Sequence, residues 1–152
     1  MEAFAAWAEA STLGRAARGG DWTYPVANLV HLLGLALLIG PIGIVDLRLA
    51  GAFRGLPLAP LSRALTPLAI GGLVLVGLSG PVLFAADAGA LIHSPLLRAK
   101  LVLILLALAN ALAFRTLWRG EEPVPTPLRI MAIASIALWL IVAALGRLIA
   151  YT

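Results

Sequence analysis

The sequence predicts an all-α integral membrane protein, a four-helix bundle preceded by a short N-terminal amphipathic helix at the membrane interface. Hydrophobic residues make up 62% of the 152 residues and charged residues only 12%, and the mean hydropathy is +1.03. Four apolar stretches are long enough to cross a bilayer, which takes about 20 helical residues. Because the connections are short, we expect residues 1–152 to form a single membrane domain with no sizeable part outside the bilayer.

Residues 1–20 carry too many charges to cross a membrane. Phe4, Trp7 and Leu13 are interspersed with glutamates and arginines, a pattern typical of a helix that lies at the membrane interface. The segment starts with an acidic residue after Met1 and has no apolar core of the kind that a secretory signal needs. We therefore expect it to be retained.

The four spans are expected at about residues 24–48, 64–86, 95–118 and 128–150. Ser94 followed by Pro95 suits the N-cap and first turn of the third span. Asn110, deep in the same span, is predicted to hydrogen-bond a neighbouring helix. The second span contains four glycines that favour close helix packing over contact with a flat ligand, namely Gly71, Gly72, Gly77 and Gly80.

The composition argues against several kinds of chemistry. The absence of cysteine excludes disulfides, thiolate metal sites and covalent haem attachment. Only two methionines are present, which leaves little thioether for Cu(I). The net charge of +4 comes from arginines spread over the span ends rather than from a basic stripe, so no nucleic-acid binding is expected.

The basic residues also give an orientation. Six lie after the first and third spans, namely Arg48, Arg54, Arg63, Arg115, Arg119 and Arg129. Five lie on the opposite side, namely Arg15, Arg18, Arg98, Lys100 and Arg147, and three of these are within helix ends rather than in loops. The positive-inside rule therefore favours both termini outside the cytoplasm.

One histidine, His31, lies inside a predicted span, about seven residues from its start and roughly 10 Å below the interface. An ionisable group at this depth is by default a candidate functional site. Antiparallel threading places Arg98, Lys100 and Arg147 on the same side of the membrane. This arrangement is suited to a haem b, with the imidazole as iron ligand and the three cations as partners of the propionates.

Two neighbours on the helical face of His31 have expected roles. Asn28 lies one turn before it, and this side chain or a backbone carbonyl is expected to fix the imidazole tautomer. Gly34 lies one turn after it and is expected to leave space for a planar ring. The second axial position stays open between His93, a deprotonated Lys100 and no protein ligand. A proton relay, small-molecule binding and a packed histidine in a non-catalytic subunit are the alternatives to a cofactor.

A second charged layer is expected at the other face of the bundle, where Asp46 and Arg48 lie near the end of the first span. Arg115 and Arg119 end the third span on the same face. An aspartate near a span end usually pairs with an arginine or faces water. We therefore expect a structural role for this layer.

The stretches YPVANLVHLLGLALLIG, DLRLAG and HSPLLRAKLVLILLALANALAF resemble a family of small bacterial four-helix membrane proteins over most of the chain. More distantly, a histidine in the first span followed by a basic-x-Lys-Leu start to a later helix is similar to the copper-resistance CopD-like family and the HemJ-type protoporphyrinogen oxidases. The HemJ-type resemblance implies haem b at His31, with the later lysine matching Lys100. Paired histidines and methionines for copper are missing from the chain.

These observations lead to one hypothesis and its alternatives. The hypothesis is a bacterial inner-membrane protein that holds a haem b through His31 near the outer face, with electron transfer to or from quinone or a membrane redox partner, or a sensing role. The alternatives are a non-catalytic membrane subunit or small-molecule or proton carrier without cofactor, and an oxidase of the HemJ type. Small residues on the second span would also permit a homodimer.

Overall fold

The computed structural model describes residues 2–20, 22–120 and 122–151. They form seven helices, as follows: α1 Glu2–Ala10, α2 Thr12–Gly19, α3 Thr23–Ala50, α4 Leu58–Ala86, α5 Ala88–Leu91, α6 Pro95–Leu117 and α7 Thr126–Ile149. Of these, α3, α4, α6 and α7 are long and apolar enough to cross a membrane. The predicted all-α fold with four spans is confirmed, and the chain is a multi-pass membrane protein.

The amphipathic segment forms two helices rather than the one we predicted. Ser11 interrupts it and caps α2, since its hydroxyl oxygen accepts a hydrogen bond from the Gly14 backbone N–H at 3.1 Å. Gly14 also lets α2 approach α1 closely, because a Cβ there would lie 2.5 Å from the carbonyl oxygens of Ala8 and Glu9. Buried Ala5 and Ala8 pack on Ala88 of α5, so this segment is docked on the bundle.

The second spanning helix also begins earlier than predicted, at Leu58 rather than at Ala64. Leu58 is only 1% exposed and packs in the core, so tertiary contacts extend the helix through Pro60, which lies in the first turn where proline is tolerated. The preceding helix ends at Gly51, whose φ of 112° is left-handed and which closes α3 by donating to carbonyls of its last turn.

The spanning helices pack in the order α4, α3, α7, α6, with the most extensive interface between α3 and α4. In the described part of the chain, α4 and α6 form no extended interface with each other. The starts of α3 and α6 and the ends of α4 and α7 lie together, and we call this side the terminal face. The opposite side, with connections 51–57 and 118–125, is the hairpin face.

Two apolar clusters fill the bundle. One lies toward the hairpin face and consists of Val45, Leu49, Leu58, Val124, Leu128 and Ala132. The other lies at mid-depth and consists of Leu38, Ala69, Ala107, Trp139 and Val142. Trp139 brings α4 and α6 into one cluster although their backbones stay apart, because its indole occupies the centre. Many other large apolar side chains point outward, as lipid contact requires.

Candidate functional site

The imidazole of His31 is joined to Ser79 on α4. The distance from His31 Nδ1 to Ser79 Oγ is 2.9 Å, and Ser79 is 4% exposed. The Ser79 hydroxyl also lies 2.6 Å from the Leu75 carbonyl oxygen in the preceding turn of α4. A hydroxyl has one proton, and a carbonyl can only accept, so that proton goes to Leu75. Ser79 therefore accepts from His31 Nδ1–H.

This bond determines which imidazole nitrogen is available for chemistry. With the proton on Nδ1, the lone pair of the neutral ring is on Nε2. A hydrogen bond to the far nitrogen is also how proteins orient a histidine that binds a metal. Ser79 thus holds His31 in the form that is competent to ligate through Nε2.

Lys100 on α6 lies on the same side of the bundle as this imidazole, with α7 between α6 and α3. The Lys100 Nζ lies over α7 at Gly146, where an added Cβ would be 3.0 Å from the amine, so the glycine makes room for the lysine side chain. On the α4 side, Gly80 faces the ring, and its Cβ would be 3.8 Å from His31 Cε1. Gly80 thus presents no side chain to the ring, while Ser79 of the same helix holds it, and Gly146 makes room for the lysine.

The two arginines predicted at this site lie at its rim. Arg98 is exposed, and its guanidinium is 3.5 Å from the Ile92 carbonyl oxygen and 3.4 Å from that of His93. Arg147 is also exposed and lies over the ring of Tyr151, 4.8 Å from the centroid, while donating to its hydroxyl. Both guanidiniums are on the terminal face, and their partners among the described residues are neutral. They remain available to an anionic group.

Two expected neighbours of His31 have other positions. Asn28 is exposed, and the partner of Nδ1 is Ser79 rather than this amide or a backbone carbonyl. Gly34 is buried against α4, where an added Cβ would lie 2.9 Å from the Gly72 carbonyl oxygen. It therefore serves helix packing and offers no space for a planar ring, so the roles we predicted for both residues are wrong.

His93 lies away from the bundle interior. It is exposed at the start of the α6 N-terminal turn, with its Nε2 4.0 Å from a carboxylate oxygen of Glu2 on α1. Among the described residues, no group of three His, Cys, Asp or Glu side chains is arranged to hold a metal ion. The structure thus places His31 and Lys100 on the same face of the bundle, and it places His93 with the amphipathic segment.

Asp46 differs from what we expected at the hairpin face. It is 5% exposed and has Ser135 of α7 as its polar neighbour, while its Oδ2 has no hydrogen-bond partner in the described structure. It neither pairs with an arginine nor faces water. Arg48, two residues further along α3, pairs instead with Glu122, whose carboxylate lies 3.6 Å from the guanidinium.

Asn110 behaves as predicted, since its amide donates to the Met131 carbonyl of α7 at 3.0 Å. Ser79 is the residue that the sequence reasoning missed. It is the only polar side chain between Thr66 and Asp87. In an antiparallel hairpin the end of the second span must lie beside the start of the first, so this serine was the available signal for a partner of His31.

Comparison with known proteins gives a family. Residues 4–152 match the model of a family of unknown function, DUF6644. The chain belongs to this family. No curated protein and no solved structure matches it. The likeness to a family of small membrane proteins is thereby supported, whereas no similarity to CopD-like or HemJ-type proteins is shown.

Proposed function

We propose that this chain binds haem b near its terminal face and has a redox role there, with His31 Nε2 as an axial ligand. The observation that carries the proposal is the hydrogen bond from His31 Nδ1–H to Ser79, which leaves the lone pair on Nε2 of a half-buried imidazole inside a spanning helix. A haem iron needs only one or two protein ligands, so a cluster of three is not required.

The surroundings fit such a group. Its plane would need an opening between helices, and α4 and α6 form no extended interface with each other in the described structure. Gly80 and Gly146 border the ring and the lysine, and Trp139 lies one layer deeper, at the level of Leu38. Small residues thus border the imidazole and the lysine, and the mid-depth cluster closes the bundle below them.

The residues of the chain have separate tasks in this proposal. Ser79 orients the imidazole, and Lys100 serves as a second ligand or as a propionate partner. Arg98 and Arg147 stabilise the remaining propionate charge at the rim. A bound haem would supply one-electron chemistry, and the electrons would be exchanged with quinone or a membrane redox partner. The charge pattern favours the outer face of a bacterial inner membrane for this site.

The proposal is tested by the absorption spectrum of protein purified in detergent from cells supplied with haem precursor. We expect a Soret band and b-type peaks on reduction, and we expect His31→Ala to abolish them because the axial ligand is lost. His93→Ala is the matched control, since it removes the exposed histidine, and it should keep the full spectrum. A colourless wild-type protein, or equal loss in both variants, would contradict the proposal.

Replacing Ser79 by alanine is expected to weaken haem retention by about 10- to 100-fold, the usual effect of removing a hydrogen bond behind a histidine ligand. Ser79→Thr keeps the hydroxyl and should recover most of the binding. Ser62→Ala, in the same helix but near the hairpin face, is the control. Haem retention is measured by titrating apo-protein with hemin and following the Soret band. A value for Ser79→Ala equal to wild type would show that the bond does not support the ligand.

One observation favours a second candidate, a proton relay without cofactor. Among the described residues Lys100 has no carboxylate within ion-pair distance, and it lies with His31 on the terminal face. An amine without a carboxylate partner and a neutral imidazole on the same side of the bundle can each bind and release a proton. In a colourless protein reconstituted into vesicles, proton flux that disappears in both His31→Ala and Lys100→Met would support this candidate.

A further inference from the structure

A pocket lies at the hairpin face, at the opposite end of α3 from His31. Its volume is about 310 Å³, and it is lined chiefly by Arg48, Arg54, Arg129 and Glu122. The arginines come from three places, namely the last turn of α3, the connection after it and the first turn of α7. We call this the arginine pocket.

All three guanidiniums are fixed in the same way. In each, Nε–H donates to a backbone carbonyl oxygen, and the pairs are Arg48 with Leu56 at 2.7 Å, Arg54 with Gly51 at 3.1 Å and Arg129 with Val124 at 3.0 Å. This leaves the terminal nitrogens of Arg54 and Arg129 for other acceptors, while those of Arg48 face Glu122. Three positioned guanidiniums form a site for an oxyanion with several oxygens, because each terminal edge can donate two parallel hydrogen bonds.

The charge within the pocket is not balanced by the described residues. Glu122 is the single described carboxylate that lines it, and it pairs with Arg48 at 3.6 Å while remaining half exposed. Arg54 and Arg129 form no ion pair with any described residue. Arg48 is only 9% exposed, so one of the cations is held in a largely desolvated position. Such a site favours an anion that brings more negative charge than the one carboxylate of Glu122 supplies.

We propose that the arginine pocket binds a phosphate group, and that an anionic phospholipid carries it. The pocket lies where a spanning helix ends and another begins, which is the depth of lipid headgroups. Basic pockets between spanning helices are known to recognise anionic headgroups, and the expected orientation puts this face toward the cytoplasm, where such lipids are enriched. The site is independent of the haem site, so either proposal can fail alone.

The test uses the purified full chain and three probes, namely phosphatidylglycerol, phosphatidylcholine and inorganic phosphate. Retained lipid is counted by native mass spectrometry, and the thermal midpoint is followed in parallel. We expect phosphatidylglycerol to be retained and to raise the midpoint, whereas phosphatidylcholine does neither. The variant is the double substitution Arg54→Gln with Arg129→Gln, which spares the buried Arg48. It should weaken phosphatidylglycerol binding by about 30-fold, because each basic residue near a membrane surface usually contributes a similar share of the binding free energy and two are removed.

The matched control is Arg115→Gln with Arg119→Gln, because it removes two exposed charges from the same face without touching the pocket. It should retain phosphatidylglycerol as wild type does. A third variant, Arg54→Lys with Arg129→Lys, keeps the charge and should show intermediate binding, since lysine cannot donate in parallel pairs. Equal losses in the pocket and control variants would overturn the proposal in favour of diffuse surface charge. An equal rise of the midpoint with inorganic phosphate would overturn the assignment to a lipid.

Discussion

Gly72→Leu is expected to force α3 and α4 apart and to destabilise the protein by about 3 kcal/mol or more, at or above the upper end of overpacking costs. A Cβ at position 72 would lie 2.6 Å from the Gly34 carbonyl oxygen and 2.7 Å from the Leu37 carbonyl carbon. Both are backbone atoms, so no side-chain rotation relieves the contact. In lipid, helices associate through close packing rather than through the hydrophobic effect, which makes this contact decisive for the pair.

Gly71→Leu is a closely matched control. Gly71 precedes Gly72 in the same helix, but an added Cβ there meets no atom within 4 Å. We expect its stability to change by less than about 0.5 kcal/mol, as for most surface substitutions. Thermal unfolding in detergent, followed by circular dichroism, compares the two variants. If they were equally stable, the contact between Gly34 and Gly72 would not be the feature that holds α3 against α4.

The architecture could be predicted from the sequence because a bilayer constrains a chain strongly. Every backbone group in the hydrocarbon region must be paired, so long apolar runs become helices. Local signals were also reliable where the partner is near in the chain, and Ser94 does cap α6 by accepting from the Leu97 N–H at 3.3 Å. The start of α4 was predicted too late, because Pro57 and Pro60 are typical of a loop. Burial of Leu58 instead extends the helix to this residue.

The candidate site could be predicted only in part. Depth in the membrane follows from residue number, and it brought His31 and Lys100 to the same level. Helix rotation does not follow from residue number, and it decides which side chain faces which neighbour. Gly34 therefore faces α4 and Asp46 faces α7. The rotation of each helix is determined by which of its small residues pack against a neighbour, and the sequence does not distinguish those small residues from the others.

Trp139→Ala is expected to cost about 3 to 5 kcal/mol of stability, the usual loss for a buried tryptophan. Trp139 is 5% exposed at the centre of the mid-depth cluster, where Ala69 of α4 and Ala107 of α6 are both buried. Because these two neighbours are alanines, neither α4 nor α6 can refill the space from these positions. Trp22→Ala is the control, since Trp22 is 76% exposed, and it should unfold close to the wild-type temperature.

The same substitution tests how the bundle keeps α4 and α6 apart. If the indole is the spacer, added indole should enter the apolar cavity of Trp139→Ala and restore part of its stability, as small aromatic molecules fill engineered cavities. It should have no effect on Trp22→Ala. Haem retention should follow the same order, falling in Trp139→Ala, recovering with indole and staying high in Trp139→Phe. Loss of stability with unchanged haem retention would show that Trp139 supports the fold but not the opening beside His31.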